Sequence, residues 1–168
     1  MRVSAVRRRP RRADAGGPDD VSGVDALREL LPRADALVAA LPLTDETKGM
    51  IAEAELALLP RHAVVVNVAR GRIFDEEALY RALRDRTIGA AGIDVWYRYP
   101  RSDDERSRTA PSTLPFRDLD NVVMSPHRAG TFGSEDVERR RMEELAVSLN
   151  AAAAGEAIPS AVDVRLGY

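Results

Sequence analysis

Strand-length runs of apolar residues most constrain what this chain can fold into. Three of them, Ala36–Leu41, Ala63–Val68 and Ile88–Val95, recur with room for a helix between them. An uninterrupted apolar run of this length marks a strand buried on both faces, as in a parallel sheet. Ala63–Val68 (AVVVNV) is the strongest, being almost wholly β-branched. A short helix is predicted over Glu53–Leu59. A second begins after Asp75, an N-cap residue followed by Glu76 and Glu77 in a first turn that favours anions. Strands alternating with helices give an α/β fold with a parallel sheet and helices on both faces. Ligands of such sheets bind beyond the carboxyl ends of the strands.

The remaining elements fit around that frame. Val3–Val6 reads as a short strand, residues 10–23 as a Pro-, Gly- and Asp-rich loop, and Val24–Leu31 as a short helix stopped by Pro32. Trp96–Asp118 reads as a long functional loop, with Trp96 and Tyr97 packing beside the ligand edge. Asn121–Met124 is a last short strand. Ser134 is placed to cap a helix over Glu135–Ala153, which lines up Met142, Leu145, Ala146 and Leu149 on one face. Glu135–Arg139 and Asp136–Arg140 are spaced to pair across its exposed side.

Composition removes several classes of function. The chain has 168 residues and no cysteine, which rules out disulfides, thiolate zinc sites and cysteine nucleophiles. With only two histidines, His62 and His127, a metal site is not expected. No apolar stretch approaches the roughly 18 residues needed to span a bilayer. No apolar segment or cleavage site follows the basic N-terminus, so a cytoplasmic location is expected and no membrane partner. The net charge of −2 supplies no field for nucleic acid.

Three segments follow the buried strands and place polar groups at one sheet edge. They are Asn67-Val68-Ala69-Arg70-Gly71, Gly92-Ile93-Asp94-Val95 and Ser125-Pro126-His127-Arg128-Ala129-Gly130. Arginine offers a planar fork for a carboxylate, and histidine moves a proton near neutral pH. Each segment alone has an ordinary explanation: a turn before a helix, a cap after a strand, a satisfied loop histidine. His62 has no such company and reads as a solvated turn residue.

Together with LPLTDETKGMI, VVVNVARGRIFDEEALYRAL, GAAGIDVW and NVVMSPHRAG, these segments resemble the D-isomer-specific 2-hydroxyacid dehydrogenases. The resemblance runs from about Ala34 to Gly130, in order and in spacing. It implies an incomplete Rossmann-like parallel sheet with flanking helices, NADP or NAD as cofactor, and hydride transfer between a 2-hydroxy and a 2-oxo acid. It makes Arg70 the residue that holds the substrate carboxylate and His127 the acid–base group. Asp94 would meet the nicotinamide carboxamide, and Pro42 and Thr47 the adenosine side. Val68, Ala69, Ala129 and Gly130 would pack near the nicotinamide, with Arg70 and His127 also touching the cofactor.

The chain departs from the family in three places. The glutamate that partners the catalytic histidine is replaced by Tyr99, five positions beyond Asp94. A carboxylate favours the protonated imidazole and fixes its tautomer, whereas tyrosine brings no charge. The glycine-rich pyrophosphate loop has no counterpart, and Val3–Val6 resembles the second strand of the domain. In the order 3-2-1-4-5-6 nothing would then bridge residues 3–6 to residues 36–41, and such open edges invite pairing with another chain. Finally, Arg7 and Arg8 stand where an NAD enzyme carries an acidic residue. Arginine there suits a 2′-phosphate, although a merely solvated basic terminus explains it equally.

Residues 1–133 are thus expected to form a partial NAD(P)-binding domain lacking its first strand. Residues 134–168 form a helix and tail that return to an absent substrate domain. The expected function is that of an oxidoreductase fragment, weakly active or inactive alone, with a small 2-oxo or 2-hydroxy acid as substrate. The alternative is a non-catalytic interaction or scaffold module of nucleotide-binding fold. The apolar helix face predicts a homo-oligomer. A third idea, nucleic-acid binding through RRRPRR at residues 7–12, is disfavoured by the acidic remainder of the chain. Substrate identity is not encoded here.

Overall fold

The structure, a computed structural model, describes residues 1–10, 17–130, 134–159 and 161–162. These form two compact units, Met1–Ser125 and Pro126–Tyr168.

The first unit carries two parallel sheets. In one, β1 (Ser4–Val6) pairs with β2 (Asp20–Ser22). In the other, β3 (Ala36–Ala39), β4 (Val64–Asn67), β5 (Ala90–Ile93) and β6 (Val122–Met124) run side by side in chain order. β2 corrects the reading of residues 10–23 as loop. Of its three residues only Val21 favours a strand, and the ladder offered by β1, closed by Asp19 and Arg7 N–H groups bonding to Val3 and Ser22 carbonyls, supplies the rest. β1 and β3 belong to separate sheets, as the order with an unfilled central position requires.

Short helices connect the strands: α1 (Leu27–Leu30), flanked by 3-10 turns, α2 (Glu53–Leu56) and α3 (Glu76–Arg84). α1 ends at Leu30, with Leu31 as its C-cap just before Pro32, and Pro32 itself sits at the start of the second 3-10 turn, where a proline has no N–H to lose. Asp75 caps α3 as expected, its carboxylate accepting the Ala78 N–H at 2.8 Å. Ala78, Leu79, Ala82 and Leu83 of α3 join Ala39, Val65, Ala91 and Ile93 in one buried cluster with Ile73 and Phe74.

Strand burial is one-sided. The register aligns Val38, Val66, Gly92 and Val123 across the other face, where Val38 is 58 % and Val123 72 % exposed. The expectation that Ala36–Leu41 is buried on both faces is therefore corrected. β3 is an edge strand of its sheet, and apolar content alone does not report whether a neighbour covers it.

The segment after β5 is more ordered than a free loop. Phe116 is buried and meets Trp96 and Tyr80 edge-on, with ring centroids 5.8 and 5.3 Å away. Buried Ser112 donates to Glu76 at 2.5 Å and accepts from the Leu114 N–H.

The second unit is dominated by α4 (Glu135–Ala153), where it was predicted. Its apolar face is open, with Met142, Leu145 and Leu149 exposed. Ser134 is the N-cap but makes no side-chain capping bond. Arg139 pairs with Asp136 and Glu143, and Arg141 with Glu138, in place of the two expected pairs. These exposed pairs differ little in energy, so spacing does not choose among them.

Candidate functional site

The site is built at the carboxyl ends of β3, β4 and β5. β4 ends in Asn67, a polar residue only 1 % exposed. Its carboxamide closes the following loop: Oδ1 accepts the Ala69 N–H at 3.1 Å, and Nδ2 donates to the Arg70 carbonyl at 3.0 Å. The Asn67 carbonyl also accepts the Asp94 N–H at 3.0 Å, joining the ends of β4 and β5. Satisfied on both sides, this buried amide is a rigid pivot and not a cost. Sequence reading placed it in the motif without a role; its signal was a lone polar residue ending a β-branched run.

Arg70 leaves this loop towards solvent, its Nη1 donating to the Ala69 carbonyl at 2.6 Å. Gly71 follows because nothing larger fits: a Cβ there would lie 2.4 Å from the Trp96 carbonyl oxygen. The loops after β4 and β5 thus touch backbone to backbone. Asp94 is 5 % exposed, and Val95 and Trp96 are buried behind it. The Trp96 indole N–H donates to the Ser125 carbonyl at 2.9 Å, while its backbone N–H donates to the Tyr99 hydroxyl at 2.9 Å. Tyr99 therefore spends acceptor capacity on its own loop.

After β3, the chain turns at Thr44–Thr47. The Thr47 hydroxyl accepts the Thr44 N–H and donates to the Pro42 carbonyl, both at 2.8 Å. Between this turn and the β4 loop lies an open cavity of about 500 Å³, lined by Ala40, Leu41, Pro42, Leu43, Val68, Ala69 and Arg70. Four predicted site residues, Pro42, Val68, Ala69 and Arg70, thus share one cavity. Thr47 does not line it but bonds to the Pro42 carbonyl, and Asp94 stands at the neighbouring strand end. Apolar walls beside one fixed cation suit a flat ring or sugar bearing an anionic group. On that observation the residues fit part of a dinucleotide, with Val68, Ala69 and Arg70 on one side and Pro42 on the other.

Arg7 and Arg8 emerge at the end of β1. Arg8 Nη2 bonds to Glu46 in the Thr44–Thr47 turn at 2.9 Å. Arg11 and Arg12 of the basic run lie outside the described residues. His127, Ala129 and Gly130 belong to the second unit and are exposed. His127 has φ of +59°, the left-handed region that few non-glycine residues occupy. His62, expected to be merely solvated, is exposed but meets Asp35 at 2.8 Å. Among the described residues no cluster of three His, Cys, Asp or Glu could hold a metal, and no helix is long and apolar enough to cross a membrane.

Residues 1–129 match the family described as "D-isomer specific 2-hydroxyacid dehydrogenase, NAD binding domain". Among curated relatives, a glyoxylate reductase of Korarchaeum cryptofilum is 36 % identical over 137 residues, covering 82 % of this chain and 38 % of the relative. A glyoxylate reductase of Thermococcus gammatolerans is 40 % identical over 139 residues, covering 82 % and 37 %. The chain thus spans about two fifths of the length of these relatives. Among solved structures, a D-isomer-specific 2-hydroxyacid dehydrogenase of Xanthobacter autotrophicus in complex with NADPH superposes with a TM-score of 0.77 at 33 % identity. That match covers 98 % of this chain and 62 % of the other. The NADPH-dependent glyoxylate/hydroxypyruvate reductase of Sinorhizobium meliloti, in complex with NADP and sulfate, gives 0.78 at 28 % identity, covering 100 % and 50 %. Parallel strands in this order, a loop pinned by Asn67 and Arg70 at their carboxyl edge, and this match over most of its length agree: the chain belongs to the D-isomer-specific 2-hydroxyacid dehydrogenase family, through its NAD-binding domain.

Proposed function

We propose that this chain forms the nicotinamide-nucleotide half of a dehydrogenase that interconverts a 2-oxo and a 2-hydroxy acid, with NADPH preferred over NADH. The carrying observation is the cavity at the β3 and β4 ends, where Pro42, Val68 and Ala69 wall a space that Arg70 overlooks. The nicotinamide, when bound, supplies or accepts the hydride. Arg70 holds the substrate carboxylate, by the fork geometry that arginine alone offers. His127 gives or takes the proton on the substrate oxygen. Asp94, buried at its strand end, accepts from the carboxamide, and Thr47 with Pro42 borders the adenosine. Ala129 and Gly130 are the residues that would pack near a bound nicotinamide. Arg7 and Arg8 meet the 2′-phosphate, in keeping with the NADP(H)-bound structures that this fold superposes on.

Turnover by the chain alone is expected to be slight, since a sequence without a glycine-rich loop lacks the donors that cradle a pyrophosphate. In this reading residues 1–133 serve the cofactor, residues 134–168 reach toward a substrate domain, and the protein works in the cytoplasm. A non-catalytic scaffold is favoured by one observation: Tyr99, in the place of the acidic partner, bonds to the Trp96 N–H. The open apolar row across Val38 and Val123, with the exposed face of α4, supports a homo-oligomer.

Titration with NADPH and NADH, read by nucleotide fluorescence and melting temperature together, tests the reading. Binding with an NADPH preference supports it and justifies a screen of 2-oxo acids. A folded chain that binds neither nucleotide refutes it and leaves the scaffold.

A further inference from the structure

We infer that Glu46 is a specificity gate: its carboxylate occupies the Arg8 guanidinium in the free protein and competes there with the 2′-phosphate of an incoming nucleotide. The inference rests on the reading that the adenosine end of a nicotinamide nucleotide lies between the ends of β1 and β3.

Both partners are held by backbone. Arg8 follows a β1 whose ladder extends through the Arg7 N–H, bonded to the Ser22 carbonyl at 2.9 Å. Glu46 sits inside a turn cinched by the Thr47 hydroxyl on the Thr44 N–H and the Pro42 carbonyl. The bond between them, 2.9 Å from Nη2 to Oε1, joins residues 38 apart in sequence and connects two separate sheets. It lies where both strands end, the edge at which parallel sheets take nucleotides.

The pair is built to open. Glu46 meets Arg8 through one nitrogen–oxygen contact and not through a two-point fork, and the side chains are 34 % and 63 % exposed. An exposed one-point ion pair contributes little. A phosphate dianion offers two oxygens in the geometry a guanidinium prefers and twice the charge, so it displaces the carboxylate. The displaced Glu46 stays nearby on its fixed turn and repels the same phosphate. Glu46 therefore lowers affinity for 2′-phosphorylated nucleotides selectively. A nucleotide with free ribose hydroxyls does not need Arg8 and pays no such penalty.

The test is calorimetric titration of the full chain with adenosine 2′,5′-bisphosphate and adenosine 5′-monophosphate, for the wild type, Glu46→Gln, Glu46→Ala and Arg8→Gln. The altered side chains leave the buried core untouched, and a melting curve for each checks the fold. Expected is about three- to fivefold tighter binding of the bisphosphate in both Glu46 variants, shrinking with added salt, with 5′-monophosphate affinity unchanged. Arg8→Gln loses the bisphosphate advantage. Unchanged or weaker bisphosphate binding in the Glu46 variants overturns the gate, as does an equal gain for the monophosphate. If the wild type binds both nucleotides but Arg8→Gln changes neither, the gate fails while the nucleotide site stands. If no variant binds either nucleotide, the gate and the cofactor reading fall together.

Discussion

Replacing Tyr97 by phenylalanine is expected to stabilise the protein, increasingly so at alkaline pH. The Tyr97 hydroxyl is buried and has no hydrogen-bond partner among the described residues. Burial raises the pKa of the phenol above its ordinary value near 10, and the charges of Glu76 and Asp75 push the same way. An unsatisfied buried hydroxyl costs about 1–3 kcal/mol, so its removal at pH 7 should return about 1 kcal/mol once the lost contact of the oxygen is deducted. That amounts to about 2–4 °C in melting temperature for a chain of this size. The pH dependence follows from linkage. Above about pH 10 the unfolded phenol releases its proton while the folded one keeps it, so the unfolded state binds fewer protons and stability falls as pH rises. The slope approaches about 1.4 kcal/mol per pH unit for this one group. At pH 11 the variant should therefore lead the wild type by about 2 kcal/mol. Urea unfolding of both proteins at pH 7 and pH 11 reads the difference, and every other titrating group cancels between them. A variant less stable at pH 7, or a wild type and variant that lose stability in parallel above pH 10, would refute the reasoning.

Gly71→Ala should cost at least about 2 kcal/mol, since its Cβ meets the Trp96 carbonyl carbon and oxygen at 2.5 and 2.4 Å and backbone cannot step aside; chemical denaturation measures it. His127→Asn should melt within about 1 °C of the wild type and His127→Val several degrees lower, because asparagine accepts a φ of +59° and a β-branched residue does not; equal melting of the two would remove the argument from backbone strain. Val38→Lys with Val123→Lys should shift sedimentation towards the monomer by charging the open row, with little change in stability.

What the sequence made legible follows a physical line. β4, β5, α3 and α4 were readable because their signals are local: β-branched runs, an Asp75 cap, a helical apolar stripe. β2 was not, because Asp20, Val21 and Ser22 become a strand only through a ladder that β1 provides. The open face was hidden for a related reason. Val38 and Val123 look like core residues in sequence, and only the register shows them in one row that stays exposed among the described residues. In the candidate site, motif order singled out Arg70, Asp94 and His127 as expectations, whereas the hydrogen bonds of Asn67 to Ala69 and Arg70 needed coordinates. The Arg8–Glu46 bond was illegible, joining two loops that share nothing locally.

The contact between Gly71 and Trp96 has a consequence for how such a site can change. With no room for even a methyl group between them, the two loops behave as one rigid body. A shift at either end is handed to the other, so Arg70 and Asp94, carried on these two loops, travel together. Moving one means carrying the other along, and a designer or a lineage reshaping this sheet edge would find looser ground in the segments that surround this hinge-free block.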